Sequence, residues 1–165
     1  SSWTQLGGDI DGEAFADLSG SSVSLSSDGS IVAIGAYGND GNGDNSGHVR
    51  VYEWDNTSWT QLGGDIDGEA AGDYSGQSVS ISSDGSIVAI GAKYNSGNGN
   101  SSGNVRVYEW DDSSWNQLGS DIDGEAPGDY SGTSVSLSSD GSIVAIGALK
   151  NDNNNGNSSR QIVFY

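Results

Sequence analysis

The 165 residues are enough for a core if repeated units share it, and short apolar runs between Ser, Gly, Asn and Asp clusters point to a folded all-β chain. Asp and Glu outnumber Lys and Arg by 23 to 5, and the formal charge of −18 argues against nucleic acid and anionic membrane surfaces while leaving cations attracted. With no cysteine, disulfides, thiolate zinc sites and cysteine nucleophiles are excluded, and no apolar run approaches the ~20 residues of a membrane-spanning helix.

The start at Ser1 is not a signal peptide, so a mature or excised chain is expected. Trp3 opens a phrase, WTQLGGDIDGEA, that returns at Trp59 and, as WNQLGSDIDGEA, at Trp115, a period of 56 residues. A unit this short must stack on its neighbours to bury a core. The expectation is one repeat domain, 1–165, divided into repeats 1–56, 57–112 and 113–165. Trp3 to Leu6 reads as a strand of the fourth position in such a unit.

The second copy spells out the unit. Val79 and Ile81 alternate with serines, the period of a half-buried strand. Ser83-Asp84-Gly85-Ser86 is a hairpin signal, and Ile87 to Ala92 is a continuous apolar run suited to a strand covered on both faces. Lys93 to Gly103 is a polar surface loop. Asn104 to Trp110 alternates again, and after DDSS the run from Trp115 to Leu118 supplies a fourth strand. No segment sustains helical spacing, so helix is expected to be negligible. Four short antiparallel strands per unit, small residues on the first, predict a propeller blade.

In the third copy the last strand is Gln161 to Tyr165. One extra residue in the loop NDNNNGNSSR is expected, which sets Ile162 and Phe164 opposite the positions of Val49 and Val51; a one-residue slip would turn the apolar face outward.

The succession DYSGQSVSIS, IVAIGA and GNVRVYEW, found in each repeat in recognisable form, resembles the FG-GAP repeats of integrin α-subunit propellers and their bacterial and algal relatives. The resemblance implies a β-propeller. Two departures stand out: Ser19, Ser75 and Ser131 occupy the place of the family's Phe, and a tight SSDGS turn replaces its acidic calcium loop. The family's calcium site is therefore not carried over to that turn. Propellers close with about four to eight blades, so three are expected to be completed by strand sharing between chains, as a ring or a filament. Trp3, Leu6, Ile162 and Phe164 are the joining residues. A threefold β-trefoil or β-prism is the alternative fold.

Candidate chemistry centres on the acidic phrase: Asp9, Asp11, Glu13 and Asp17; Asp65, Asp67, Glu69 and Asp73; Asp121, Asp123, Glu125 and Asp129. Alternating oxygen ligands suit Ca²⁺, although glycine sits at the fourth and not the sixth position of each loop; the other reading is a set of solvated turns between blades. Asp40, Asn42 and Asp44 form a second, weaker metal loop. His48, the only histidine, is expected to be an exposed strand residue. Asn56, Asn100 and Asn157 head N-x-S/T triplets, candidate glycosylation sites. Tyr37, Tyr74, Tyr94 and Tyr130 lie in or beside loops, where rings could stack on sugars. The functional expectation is a non-catalytic, extracellular or cell-surface, structural or adhesive module that self-associates and requires no cofactor, with Ca²⁺ left open; the alternative is a multivalent lectin-like carbohydrate-binding module, with or without calcium dependence. Protein or glycan surface ligands are compatible with either.

Overall fold

Alternation of serine with Val, Ile or Leu makes the first strand of every unit, and the apolar IVAIGA run makes the second. In the computed structural model, which describes residues 2–151 and 161–165, thirteen strands form three antiparallel sheets. The first sheet holds β1 (Ser22–Leu25), β2 (Ile31–Ala36), β3 (His48–Trp54), β4 (Trp59–Gln61) and β5 (Ile66–Asp67). Strands β4 and β5 share one position, both pairing with the outer edge of β3. The second sheet repeats the arrangement with β6 (Ser78–Ile81), β7 (Ile87–Ala92), β8 (Asn104–Trp110), β9 (Trp115–Gln117) and β10 (Ile122–Asp123). The third holds β11 (Ser134–Leu137), β12 (Val144–Ala148) and β13 (Gln161–Phe164). No helix occurs among the described residues.

Each sheet is a separate meander, and the sheets stack face to face with β1, β6 and β11 side by side. This is blade packing and excludes the trefoil and prism. Serines knit the inner strands together: Ser22 Oγ donates to the Gly76 carbonyl at 2.7 Å and Ser78 Oγ to that of Gly132 at 2.8 Å. Ser24 Oγ and Ser80 Oγ accept the amides of Ile81 and Leu137 at 3.1 and 2.9 Å. Small side chains are required here because backbones nearly touch; a Cβ on Gly35 would lie 2.0 Å from the Gly76 oxygen, and one on Gly91 2.1 Å from that of Gly132.

Apolar residues fill the two gaps between blades. Ala33, Val49, Val51, Val79, Ile81, Val88 and Ile90 belong to one cluster, and Ala89, Val105, Val144 and Ile146 to the next. Tryptophan pairs lock the outer rim. Trp54 and Trp59 lie 5.4 Å apart, and Trp59 Nε1 donates to the Leu6 carbonyl at 3.1 Å; Trp110, Trp115 and Leu62 repeat this with 5.4 and 3.0 Å.

The third-copy insertion is borne out by register. Gly147 pairs with Ile162 and Ala145 with Phe164, as Gly35 pairs with Val49 and Ala33 with Val51. The loop that absorbs the extra residue, and with it Asn157, lies outside the described residues. One expectation fails: Trp3 to Leu6 is not a strand. Its counterpart β4 exists because it pairs with β3, and no described strand offers Trp3 to Leu6 such an edge. Both ends of the stack are open. Val23 and Leu25 are 63% and 59% exposed, whereas their second-copy counterparts Val79 and Ile81 are 9% and 7%.

Candidate functional site

The acidic phrases run along the blade rims. Their isoleucines fix them: Ile66 pairs with Val49 and Ile122 with Val105, leaving the flanking carboxylates at the surface. The last acid of each phrase is the exception. Asp17, Asp73 and Asp129 are buried and accept the amides of Ala14, Ala70 and Ala126 at 3.0, 3.1 and 2.9 Å. Each also accepts an amide hydrogen from a buried asparagine, Asn39, Asn95 or Asn151, at 3.1, 3.0 and 3.4 Å. The same three asparagines donate to Glu13, Glu69 and Glu125 at 3.4, 3.1 and 3.2 Å. These donors take up carboxylate oxygens that the sequence offered to a cation.

The first acid of each phrase is held by a glutamine four residues earlier: Gln5 to Asp9, Gln61 to Asp65 and Gln117 to Asp121, at 2.8, 2.7 and 2.7 Å. Carboxylates meet within a phrase through the buried asparagines, and they also meet across successive phrases. Glu69 and Asp121 both accept from Asn104 Nδ2, at 3.3 and 3.2 Å, and the Asn104 Oδ1 atom is buried with no hydrogen-bond partner among the described residues. Burial pushes the Glu69 carboxyl above its ordinary value against the pull of Arg106, and Asp121 adds to the rise. Burial likewise raises Asp67 and Asp123, with help from Asp65 and Asp121 respectively.

In the first copy the place of Asn104 is taken by His48. It was expected at the surface and is instead 1% exposed, because β3 is covered on this face by the phrases before and after it. Its Nδ1 faces Glu13 Oε2 at 3.8 Å and Asp65 Oδ2 at 3.6 Å. Beside it, Arg50 donates to the Asp11 carbonyl at 2.7 Å and lies 3.8 Å from the other oxygen of Glu13; Arg106 donates to the Asp67 carbonyl at 2.7 Å. Sequence reasoning passed over these arginines and the three asparagines. The signal was present: Asn39, Asn95 and Asn151, like Arg50 and Arg106, recur at the 56-residue period.

The second metal loop is closed by its own side chains. Asp40 Oδ1 accepts the Asn45 amide at 2.7 Å, Asn42 Nδ2 donates to the Gly68 carbonyl at 2.8 Å, and Asp44 gives its backbone carbonyl to Gly72 at 2.9 Å. The tyrosines form a row across the blades, with successive rings from Tyr37 through Tyr74 and Tyr94 to Tyr130 at 5.9, 5.2 and 5.6 Å. Lys93 and Lys150 sit over Tyr94 and Tyr130 at 4.9 and 5.0 Å, so much of the row is spent on internal contacts. A groove of about 620 Å³ opens between Glu69, Tyr74, Tyr94 and Asn100. Asn56 and Asn100 are exposed.

No curated protein matches the chain. Among solved structures, hydrazine synthase of Kuenenia stuttgartiensis is similar in fold, at 15% identity and a TM-score of 0.52 over 87% of this chain. The chain spans 32% of that protein's length. The FG-GAP repeat family matches residues 10–52 and 66–108, more than half of the chain. Both matches run from the phrase isoleucine to the tyrosine of the third strand; the third repeat lies outside them, although β11, β12 and β13 pair as β1, β2 and β3 do. Three meanders stacked on serine-lined inner strands, together with this match, place the chain in the FG-GAP repeat family as a set of β-propeller blades.

Proposed function

We propose that this FG-GAP module is a non-catalytic structural element working outside the cell or at its surface, and that a second copy docks on its open faces head to tail. The observation that carries the reading is the direction built into every blade. One face presents Val, Ile or Leu from the inner strand and the other presents serine. Val79 and Ile81 bury against the first blade, and the serines of β1 bond to the second. At the ends, Val23 and Leu25 form an uncovered apolar face, and Phe15 is fully exposed. Ser134 and Ser136 form an uncovered serine face.

These two faces are the halves of the interface already formed twice within the chain, so a copy that repeats it needs no new contact chemistry. Ser134 Oγ would donate to the partner's Gly20 carbonyl, as Ser22 does to Gly76. Leu6 would pair with Phe164, as Leu62 donates to Val51. A contact of this heterologous kind either closes or propagates, and two chains supply six blades, within the range that closes. Exposed Asn56 and Asn100 support an extracellular setting. The internal donors of Asp17, Asp73 and Asp129 support a fold that needs no bound ion.

Sedimentation velocity tests the proposal. The wild type is expected to run as a dimer or longer array, and a Val23→Asp/Leu25→Asp chain as a monomer with unchanged far-UV circular dichroism. A wild type that stays monomeric at every concentration overturns it.

A further inference from the structure

We infer that Glu13, His48 and Asp65 form a site for one borderline divalent cation of the zinc class, present in the first repeat alone. The three ligand atoms all lie within 4.8 Å of one another. His48 Nδ1 stands 3.8 Å from Glu13 Oε2 and 3.6 Å from Asp65 Oδ2. Both separations are beyond hydrogen-bond reach and close to the ~3.3 Å between neighbouring ligands of a tetrahedral ion with bonds of about 2.0–2.1 Å. A single ring N–H cannot make two full hydrogen bonds, and at these distances it makes neither, whereas a cation between them engages all three atoms.

The second repeat shows what the same bracket does with an amide. Asn104 Nδ2 carries two hydrogens and donates to Glu69 and Asp121 at 3.3 and 3.2 Å, so that bracket is closed by the chain itself. Replacing the amide by imidazole removes one donor and puts a metal ligand at 1% exposure between two carboxylates. The outward oxygens are already occupied. Gln61 Nε2 donates to Asp65 Oδ1 at 2.7 Å, and Arg50 lies 3.8 Å from Glu13 Oε1, which leaves Asp65 Oδ2 turned to His48, and beside it Glu13 Oε2, whose other partner is a long 3.4 Å bond from Asn39 Nδ2 that leaves one of its lone pairs for an ion. Such outer contacts orient ligands. Glu13 and Asp65 are partly exposed, giving the ion an entry path and room for a water as fourth ligand. Imidazole selects zinc-like ions over Ca²⁺, which takes six to eight oxygens. A bound ion would fasten the phrase before the first blade to the one after it through β3.

Isothermal titration with Zn²⁺ alone, in excess Mg²⁺ to occupy the diffuse acidic surface, decides the matter. The wild type is expected to bind one Zn²⁺ per chain at least tenfold more tightly than His48→Asn, a variant that folds because Asn104 fills the equivalent position. Asn104→His is expected to bind two. Co²⁺ should give visible absorption bands with the wild type and not with His48→Asn. A His48→Asn chain that binds Zn²⁺ as tightly as the wild type, or an Asn104→His chain that gains no second ion, overturns the inference.

Discussion

Asp28, Asp84 and Asp140 each accept, through a single carboxylate oxygen, the hydroxyls of the serines two residues before and after, at 2.7–2.8 Å, and the backbone amide of the latter at 3.0–3.1 Å. These bonds favour the ionised form. The Ser30 amide and hydroxyl, with that of Ser26, hold Asp28 down from 3.8 to about 2; Ser138 and Ser142 do the same for Asp140, and Thr57 and Ser113 lead the lowering of Asp55 and Asp111 to about 2. A depressed carboxylate stabilises the fold above its unfolded value, and that contribution is lost as pH falls from 3.8 through about 2. Asp67, Glu69 and Asp123 have the opposite sign: their raised values mean that protonation favours the folded state as pH falls toward the ordinary values of 3.8 and 4.5. Urea denaturation across pH should therefore show stability holding or rising from pH 7 to about pH 4.5, then dropping below pH 3.8. A steady fall between pH 7 and pH 5 would contradict this assignment.

Among the elements, the second strand of each unit carries the tightest contact. Gly91 sits where a Cβ would meet the backbone of the next blade, at 2.1 Å from the Gly132 oxygen, whereas at Gly147 it would meet the Ser134 side chain of its own blade at 2.4 Å. Backbone cannot step aside; a serine hydroxyl can rotate. Gly91→Ala is expected to cost about 2–3 kcal/mol and Gly147→Ala under about 1 kcal/mol, measured by thermal or denaturant unfolding. Equal losses would show that the blades do not press together at these glycines. Much of this element-level order was legible in the sequence. The IVAIGA runs, the Asp-Gly turns and the extra residue before Ile162 follow from periodicity, because a wrong register would invert a strand's faces. What was not legible depended on neighbours. Trp3 to Leu6 has the same residues as Trp59 to Leu62 and yet forms no strand, since pairing needs a partner edge. His48 reads as one more polar residue of an alternating strand; its burial comes from phrases 35 residues before and 17 after it in the chain, represented by Glu13 and Asp65. Local spacing groups the acids within a phrase, which the buried asparagines bear out, but it gives no sign that Glu13 meets Asp65, or Glu69 meets Asp121, across repeats.

At the scale of the molecule, the chain is a directional stack. Each blade offers serine forward and aliphatic residues backward, so the uncovered face at one end matches the uncovered face at the other, and a net charge of −18 discourages any association less specific than this fit. Edge strands left unpaired are templates for another chain, and β13 presents such an edge, with Ile162 and Phe164 66% and 69% exposed. If copies dock as proposed, register makes that docking specific to the residue. Tyr52 pairs with Gln61 and Tyr108 with Gln117, so Tyr165 of one chain should pair with Gln5 of the next. With no native cysteine to interfere, a chain carrying Gln5→Cys and Tyr165→Cys measures this directly by non-reducing electrophoresis after mild oxidation. The account requires covalent dimers or longer ladders from that pair, and far fewer from a register-shifted Gln5→Cys/Val163→Cys chain; monomers only, or equal cross-linking from both pairs, would contradict it.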